Sequence, residues 1–399
     1  MSKSVLISGA SIAGPSLAYW LARYGYDVTV VERAEAIRPG GQAVDFRGEV
    51  HMRVLEKMGV LDEIRRRQTH GGALDLIDAE GRTRVALPDS FTGGDVEIHR
   101  GDLAELLYEL TRDSARYVFG DSIASMTETA DGVHVTFERG APRTFDLVVG
   151  ADGLHSNVRR LAFGDEARFV RDSGYHVAIF EAPNRLGIGT GKLYSEVGRG
   201  VSVYPTRGGT GANVMCVFAD DELEPHRRDQ EAQKRALAEK FAGMGWHAGA
   251  LMRDMWDAPY FYCDSISIVR MDAWTKGRVA LLGDAGYGAT CGGMGTGLAV
   301  VCAYVLAGEL AAADGDHRAA FPAYEERVKK FTTACQRVAG GVGPFFAPKN
   351  ERALRRRTTV YRLLTAGPFI KLLNKLTTQA ATAIKLREYP EPRRAPHTV

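Results

Sequence analysis

A chain of 399 residues with 45% hydrophobic and 25% charged side chains can bury a sizeable core, as one large domain or two intergrown ones. Its 51 basic and 49 acidic residues leave a net charge of +2, and no basic stripe alternates with aromatics, so a small molecule rather than nucleic acid is the expected partner. Five widely spaced cysteines without a CxxC pair argue against a metal site and fit reduced thiols in a cytoplasmic setting. The first strand begins too early for a signal peptide, and no uninterrupted apolar run reaches the roughly 18 residues of a membrane span, so no membrane partner is expected.

The chain opens with an apolar strand, Val5 to Ser8, that runs into the turn Gly9-Ala10-Ser11-Ile12-Ala13-Gly14. A helix over Pro15 to Tyr24 follows, closed by Gly25, and then a second strand, Val28 to Val31, that ends in Glu32. This strand, glycine turn, helix and acidic strand end form a dinucleotide-binding pattern. The helix N-terminus faces a pyrophosphate and the carboxylate bonds a ribose. Ser11 stands where a second glycine is usual; its small side chain still lets backbone approach phosphate. Helices are expected from Arg47 to Met58, stopped by Gly59, and from Asp102 to Asp113, where Leu103, Leu106, Leu107 and Leu110 form an apolar stripe. Turns at Asp78-Ala79-Glu80-Gly81 and Thr129-Ala130-Asp131-Gly132 separate short antiparallel strands.

A buried strand at Phe145 to Gly150 leads into Asp152-Gly153 and a basic helix start carrying Arg159 and Arg160. Residues 170 to 270 turn strand-rich: His176 to Glu181, Gly191 to Ser195, Val201 to Pro205, Asn213 to Phe218 and Ile266 to Arg270, interrupted by a helix over Asp229 to Met244. A third apolar strand, Arg278 to Leu282, ends in Gly283-Asp284 and a loop with seven glycines between 283 and 297. Helices over Gly297 to Asp314 and His317 to Val338 follow. Gly340 to Lys349 breaks the pattern, Thr358 to Arg387 reads as one or two amphipathic helices, and the tail from Tyr389 lacks packing material and is expected to be mobile.

Three strand-then-small-residue turns in this order resemble the class A flavoprotein monooxygenases, the para-hydroxybenzoate hydroxylase family, over most of residues 1 to 340. Arg38-Pro39-Gly40-Gly41-Gln42-Ala43-Val44-Asp45 and Val96-Glu97-Ile98-His99-Arg100-Gly101-Asp102-Leu103 resemble segments of the tetracycline-inactivating branch. The resemblance implies an α/β fold: a Rossmann-like FAD-binding domain of the GR2 type over 1–72, 95–170 and 268–345, interleaved with a β-sheet substrate domain over 73–94 and 171–267. A C-terminal helical segment over 346–388 and a flexible tail over 389–399 complete the expected layout.

Under that resemblance Gly9, Ser11, Ala13 and Gly14 cradle the FAD pyrophosphate, Glu32 holds the ribose and Arg33 flanks the adenine. Arg100 contacts a flavin phosphate or ribose; Arg38 and Asp45, with Arg47 nearby, serve the flavin and a transient NADPH or NADH. Asp152 assists both pyrophosphates. Gly283 and Asp284 hold the ribityl chain, and Gly295 and Thr296 open a helix whose positive end faces the flavin N1-C2 region. Relatives carry one or two prolines in the 286–297 loop; here there are none and the loop is about one residue shorter, so it is expected to be more pliable. Phe46, Tyr175, Tyr194, Tyr204, Phe218, Tyr262 and Tyr287 are candidates for an aromatic substrate pocket, Cys291 is read as a packed residue, and His51, His70, His176 and His247 are read as structural or surface residues. No side-chain catalyst is expected, because a C4a-hydroperoxyflavin formed from molecular oxygen would do the chemistry. The expected activity is NAD(P)H-consuming hydroxylation of an aromatic or polycyclic molecule in natural-product tailoring or antibiotic inactivation, by a monomer or homodimer. A flavin dehydrogenase or reductase and a non-catalytic flavin-binding protein stay open as alternatives.

Overall fold

The computed structural model describes residues 2–69, 72–89, 93–206, 208–219, 229–291, 294–365 and 379–390. Its first sheet has six strands, in spatial order Thr275–Lys276, Val279–Leu281, Leu147–Gly150, Ser4–Ser8, Asp27–Glu32 and Arg116–Phe119. All neighbours pair in parallel except the edge hairpin of the first two. Parallel strands covered on both faces need apolar residues at consecutive positions, and Val5, Leu6, Ile7, Leu147, Val148 and Val149 are accordingly all buried. The helices Ala13–Arg23 and Gly295–Ala312 pack together here, and His317–Ala339 lies against the second of them. Gly295–Ala312 is long and apolar enough to cross a membrane by length and mean hydropathy, which the broken apolar run in the sequence had hidden. However, 78% of it is buried inside the fold, as expected of a core helix that is apolar all round.

The second sheet has seven strands, in spatial order Phe261–Val269, Val170–Pro183, Gly211–Ala219, Arg199–Pro205, Gly191–Glu196, Leu74–Ile77 and Thr83–Leu87. Only Gly191–Glu196 and Leu74–Ile77 pair in parallel. Side chains alternate between its faces. One face, with Phe180, Val214, Cys216 and Phe218, packs on Leu237, Phe241, Leu251 and Met252 of a helical layer. The opposite face carries Tyr204, Met215 and Tyr262, with Cys291 and Phe345 packed beside them. Two small sheets fill the joints: Ile123–Glu128, Val133–Phe137 and Arg143–Phe145 form one, Ala43–Phe46 and Val96–His99 the other.

Several elements differ from expectation. The strand expected over His176 to Glu181 is the middle of a longer one, Val170–Pro183, which the irregular pairing between Asp172 and His176 disguises in sequence. The break expected over Gly340 to Lys349 contains a short helix, Val342–Phe346. The next helix runs from Glu351 to Thr365, not from Thr358, with none of its residues buried, and residues 366–378 lie outside the described residues. The tail does not start free. The Tyr389 ring is buried against Gly308 and its hydroxyl donates to Glu309 Oε1 at 2.7 Å, while the Tyr24 hydroxyl donates to the Pro390 carbonyl at 3.2 Å. Residues 391–399, like His70, lie outside the described residues.

Candidate cofactor and substrate site

Gly9 ends the first strand with φ +107°, and a Cβ there would stand 2.4 Å from the Ala151 carbonyl oxygen. At Gly14 a Cβ would lie 1.9 Å from the Gly9 carbonyl oxygen. The turn therefore closes only with glycine at both positions. It delivers the chain into the helix Ala13–Arg23, whose N-cap residue Ile12 offers no side-chain acceptor, so the first N–H groups remain available. Ala10 and Ser11 line a cleft with Glu32, Ala36, Ile37, Arg38, Arg100 and Ala104.

Within that cleft the Glu32 carboxylate accepts the Ala10 N–H at 2.8 Å and the Ala34 N–H at 2.9 Å, tying the glycine turn to the end of the second strand. Each oxygen keeps a lone pair for a ribose hydroxyl. Arg100 donates to Ser11 Oγ at 3.0 Å, and its backbone N–H donates to the Gln42 carbonyl, so the 38–42 segment folds over it. Arg38 is exposed at the rim. Arg33 does not line the cleft: 67% of its side chain is exposed, and it turns toward Ser122 and Glu138.

Asp45 and Asp152 are committed inside the protein. Asp45 pairs with Arg47 and stands across from Glu97; burial lifts its pKa to about 6 against the pull of the Arg47 charge. Asp152 accepts from Ser156 Oγ, from the Val158 N–H at 3.0 Å and from Ser8 Oγ at 3.4 Å, so it holds the N-cap residue Ser156 and fastens the start of the helix Asn157–Phe163 to the first strand. Arg159, part of the basic helix start, is fully buried. It donates to the Ala285 carbonyl at 2.9 Å, to the Leu154 carbonyl at 2.6 Å and to Glu166 at 3.3 Å, bracing the segment just after Asp284. Next to it His155 bridges Glu166 at 3.0 Å and Asp264 at 3.1 Å. Burial works against its charge, but the bonds and charges of those two carboxylates prevail and lift its pKa to about 9.

Gly283, at φ +65°, turns the chain so that Asp284 faces the first turn of Gly295–Ala312. A Cβ on Gly295 would sit 3.6 Å from Asp284 Oδ1. Asp284 is exposed to solvent, yet enough protein surrounds its carboxyl that desolvation raises its pKa. Gly295 and Thr296 are partly accessible beside it, in a helix start without a side-chain cap. Part of the preceding loop is tied down by hydrogen bonds despite its lack of proline. The Val269 N–H donates to the Gly288 carbonyl at 2.9 Å and the Thr290 N–H to the Ser267 carbonyl at 3.0 Å, which lays residues 288–290 along the edge strand of the second sheet. Gly292 and Gly293 lie outside the described residues. Cys291 holds φ +62°, and burial pushes its thiol up to about 12, which makes it a packed, neutral group.

Of the seven aromatic pocket candidates only Tyr204 and Tyr262 remain on an accessible part of the site-side face, while Tyr194 is buried on the helix-covered one. Tyr287 is fully buried and shares a hydrogen bond of 2.8 Å with the Tyr324 hydroxyl, which itself donates to the Leu281 carbonyl. Phe218 belongs to the helix-covered face, edge-on to Phe241, and Phe46 is fully buried in the core of the first sheet's part. Tyr175 is sealed under Gly343, whose added Cβ would come within 2.5 Å of the ring. Beside Tyr204 and Tyr262 the partly exposed side chains on the site-side face are Met215, Tyr260, Phe345 and Tyr361. Period-two alternation from Tyr260 through Tyr262 to Asp264 is the signal for Tyr260, which a strand start at Ile266 leaves out.

A glycine turn that a Cβ would fill, uncapped helix starts, and an accessible carboxylate opposite the second of those starts suit a long, anionic dinucleotide carrying a planar ring. The model of the FAD binding domain family matches residues 2–339. The chain belongs to the class A flavoprotein monooxygenases. This monooxygenase is 43% identical to an uncharacterized protein of Mycobacterium tuberculosis (strain ATCC 25618 / H37Rv) over 89% of its own length and 97% of that protein's. It is 36% identical to the flavin-dependent monooxygenase of Legionella longbeachae serogroup 1 (strain NSW150), over 88% and 92% of the two chains. The crystal structure of the tetracycline destructase Tet(55) superposes with a TM-score of 0.83 at 35% identity, covering 97% of this chain and 99% of that one. FAD is thus its cofactor and monooxygenation its reaction class.

Proposed function

We propose that this flavoenzyme uses NADPH or NADH to reduce its FAD and hydroxylates a fused aromatic or enolic small molecule of the kind the name tetracycline destructase implies for its relative. The observation that carries this reading is the site-side face of the second sheet, where Tyr204, Met215, Tyr260, Tyr262 and Phe345 offer a broad, mostly aromatic wall whose Tyr262 feels the Asp284 charge. Such a wall suits a flat polycyclic ligand better than a flexible aliphatic one. When bound, the flavin supplies oxygen activation at C4a; everything else falls to this chain's own side chains.

In this reading the seven-stranded sheet serves the substrate and the six-stranded sheet the cofactor. The Gly9–Gly14 turn takes the pyrophosphate and Glu32 the adenosine ribose. Arg100 and Arg38 bring positive charge to the phosphates, Asp284 accepts from the ribityl hydroxyls, and Asp45 and Asp152 hold the surrounding backbone in place. Arg33 plays no part in the pocket. The wall orients the substrate ring and keeps water away from the reacting carbon. Five unpaired thiols agree with a cytosolic setting.

The test is to supply FAD-loaded protein with NADPH or NADH and isotopically labelled dioxygen, with tetracycline and other fused phenols in turn. Substrate-stimulated oxidation of the nicotinamide and a product heavier by one labelled oxygen are expected. A desaturated or reduced product without label would place the protein among the dehydrogenases instead.

A further inference from the structure

His51 follows the Asp45–Arg47 segment, on the helix Gly48–Met58, and only 1% of it is exposed. Its Nδ1 accepts the Arg47 backbone N–H at 3.0 Å. Burial, helped by the Arg47 charge, holds its pKa down at about 4, so the ring is neutral and its single proton sits on Nε2. That Nε2–H is buried and has no acceptor among the described residues.

The same imidazole edge presses on the first turn of the helix Gly295–Ala312. A Cβ at Gly297 would come within 2.2 Å of Cε1, 2.5 Å of Nδ1 and 2.8 Å of Nε2, so only glycine admits the ring. Phe46 and Phe331 flank it at 6.1 Å each and offer the N–H no strong acceptor. A leucine would fill this space without stranding a donor, so a buried, unsatisfied N–H calls for a reason. The Asp45–Arg47 segment and the helix start at Gly295–Gly297 meet at this one ring.

We propose that His51 is a positioning residue for the flavin: it sets the spacing between the Arg47 backbone and the start of the long helix, and its Nε2–H adds a fixed positive dipole at that helix start. The proposal rests on the reading that bound FAD lays its ring system beside Asp284 and this helix start. Reduction gathers negative charge on the flavin's pyrimidine edge, and the imidazole dipole and the helix N-terminus act on it together. Because both are preorganised in the ligand-free fold, they favour reduced over oxidised FAD without rearrangement. His51 thereby tunes the cofactor without contacting the substrate.

The experiment compares FAD-loaded wild type with His51→Leu and His51→Gln, measuring the FAD midpoint potential with a reference dye and the affinity for oxidised FAD by titration. His51→Leu is expected to weaken reduced relative to oxidised FAD about tenfold, a fall of about 30 mV for a two-electron couple. His51→Gln, whose amide can accept from Arg47 and still donate, is expected to recover most of that shift. A His51→Leu protein with the wild-type potential, whatever its melting temperature, overturns the proposal and leaves His51 a packing residue. Should the leucine variant not fold, His51→Phe takes its place with the same two outcomes. Wild-type protein that takes up no FAD would defeat the underlying reading rather than this proposal.

Discussion

Removing the Asp284 carboxylate should change cofactor binding and apo-protein stability in opposite directions. The carboxyl is accessible, desolvated and, among the described residues, without a hydrogen-bond partner. Desolvation raises its folded-state pKa, so the folded chain holds the proton more tightly than the unfolded chain, and the stability this provides is lost as pH rises through the carboxylate range. At neutral pH the ionised group therefore costs stability, by little because solvent reaches it. Asp284→Ala apo-protein should be as stable as wild type or slightly more so. With FAD the order reverses, since a hydrogen bond to a charged acceptor is worth about 1.5–3 kcal/mol, a loss of about 13- to 160-fold in affinity.

Chemical denaturation with and without FAD reads both effects. At a FAD concentration of about 100 times the wild-type Kd, binding adds about 2.7 kcal/mol to the wild type, but between about 1.3 and about 0.3 kcal/mol to the variant. An Asp284→Ala protein that gains as much from FAD as wild type would refute the placement of the ribityl chain at this carboxylate. A variant that is strongly destabilised without FAD would refute the view that the group is unpartnered.

Gly14→Ala should cost about 3 kcal/mol or more, because the new methyl meets the rigid Gly9 carbonyl oxygen at 1.9 Å, and it should abolish FAD retention on gel filtration. The stability that His155 draws from Asp264 and Glu166 should be complete below about pH 6.5, its unfolded value, and fade as pH rises through about 9. Urea midpoints taken across that range should show a slope in wild type that His155→Gln loses; equal slopes would remove His155 from the pH response. Tyr287→Phe should lose about 1 kcal/mol with the Tyr324 bond and leave the substrate KM unchanged in steady-state assays, since the ring is fully buried.

Much of this architecture is readable from residue order because the signals are local. The helices starting at Gly48, Gly295 and His317 were found within two residues of their ends, where glycines and apolar stripes mark them. The Gly9–Gly14 turn and Gly283-Asp284 announce themselves by residue type. What escaped depends on distant chain. Arg159 looks like a surface charge until the Ala285 and Leu154 carbonyls, which need donors, close around it. Tyr287 looks like a pocket residue because it follows Asp284 so closely, but Tyr324, far along the chain, draws its hydroxyl into the core. Phe218 and Tyr204 cannot be told apart by hydrophobicity; the alternation of their strands puts them on opposite faces. Tyr389 sits among prolines and charges that suggest a free tail, yet buried Glu309 anchors it.

A crystal structure of the FAD-loaded protein tests the central claim most directly. The account predicts one FAD per chain, its pyrophosphate at the Gly9–Gly14 turn, its ribityl hydroxyls on Asp284 and its ring beside the helix that starts at Gly295. A flavin bound elsewhere, or with its ribityl chain clear of Asp284, would contradict it.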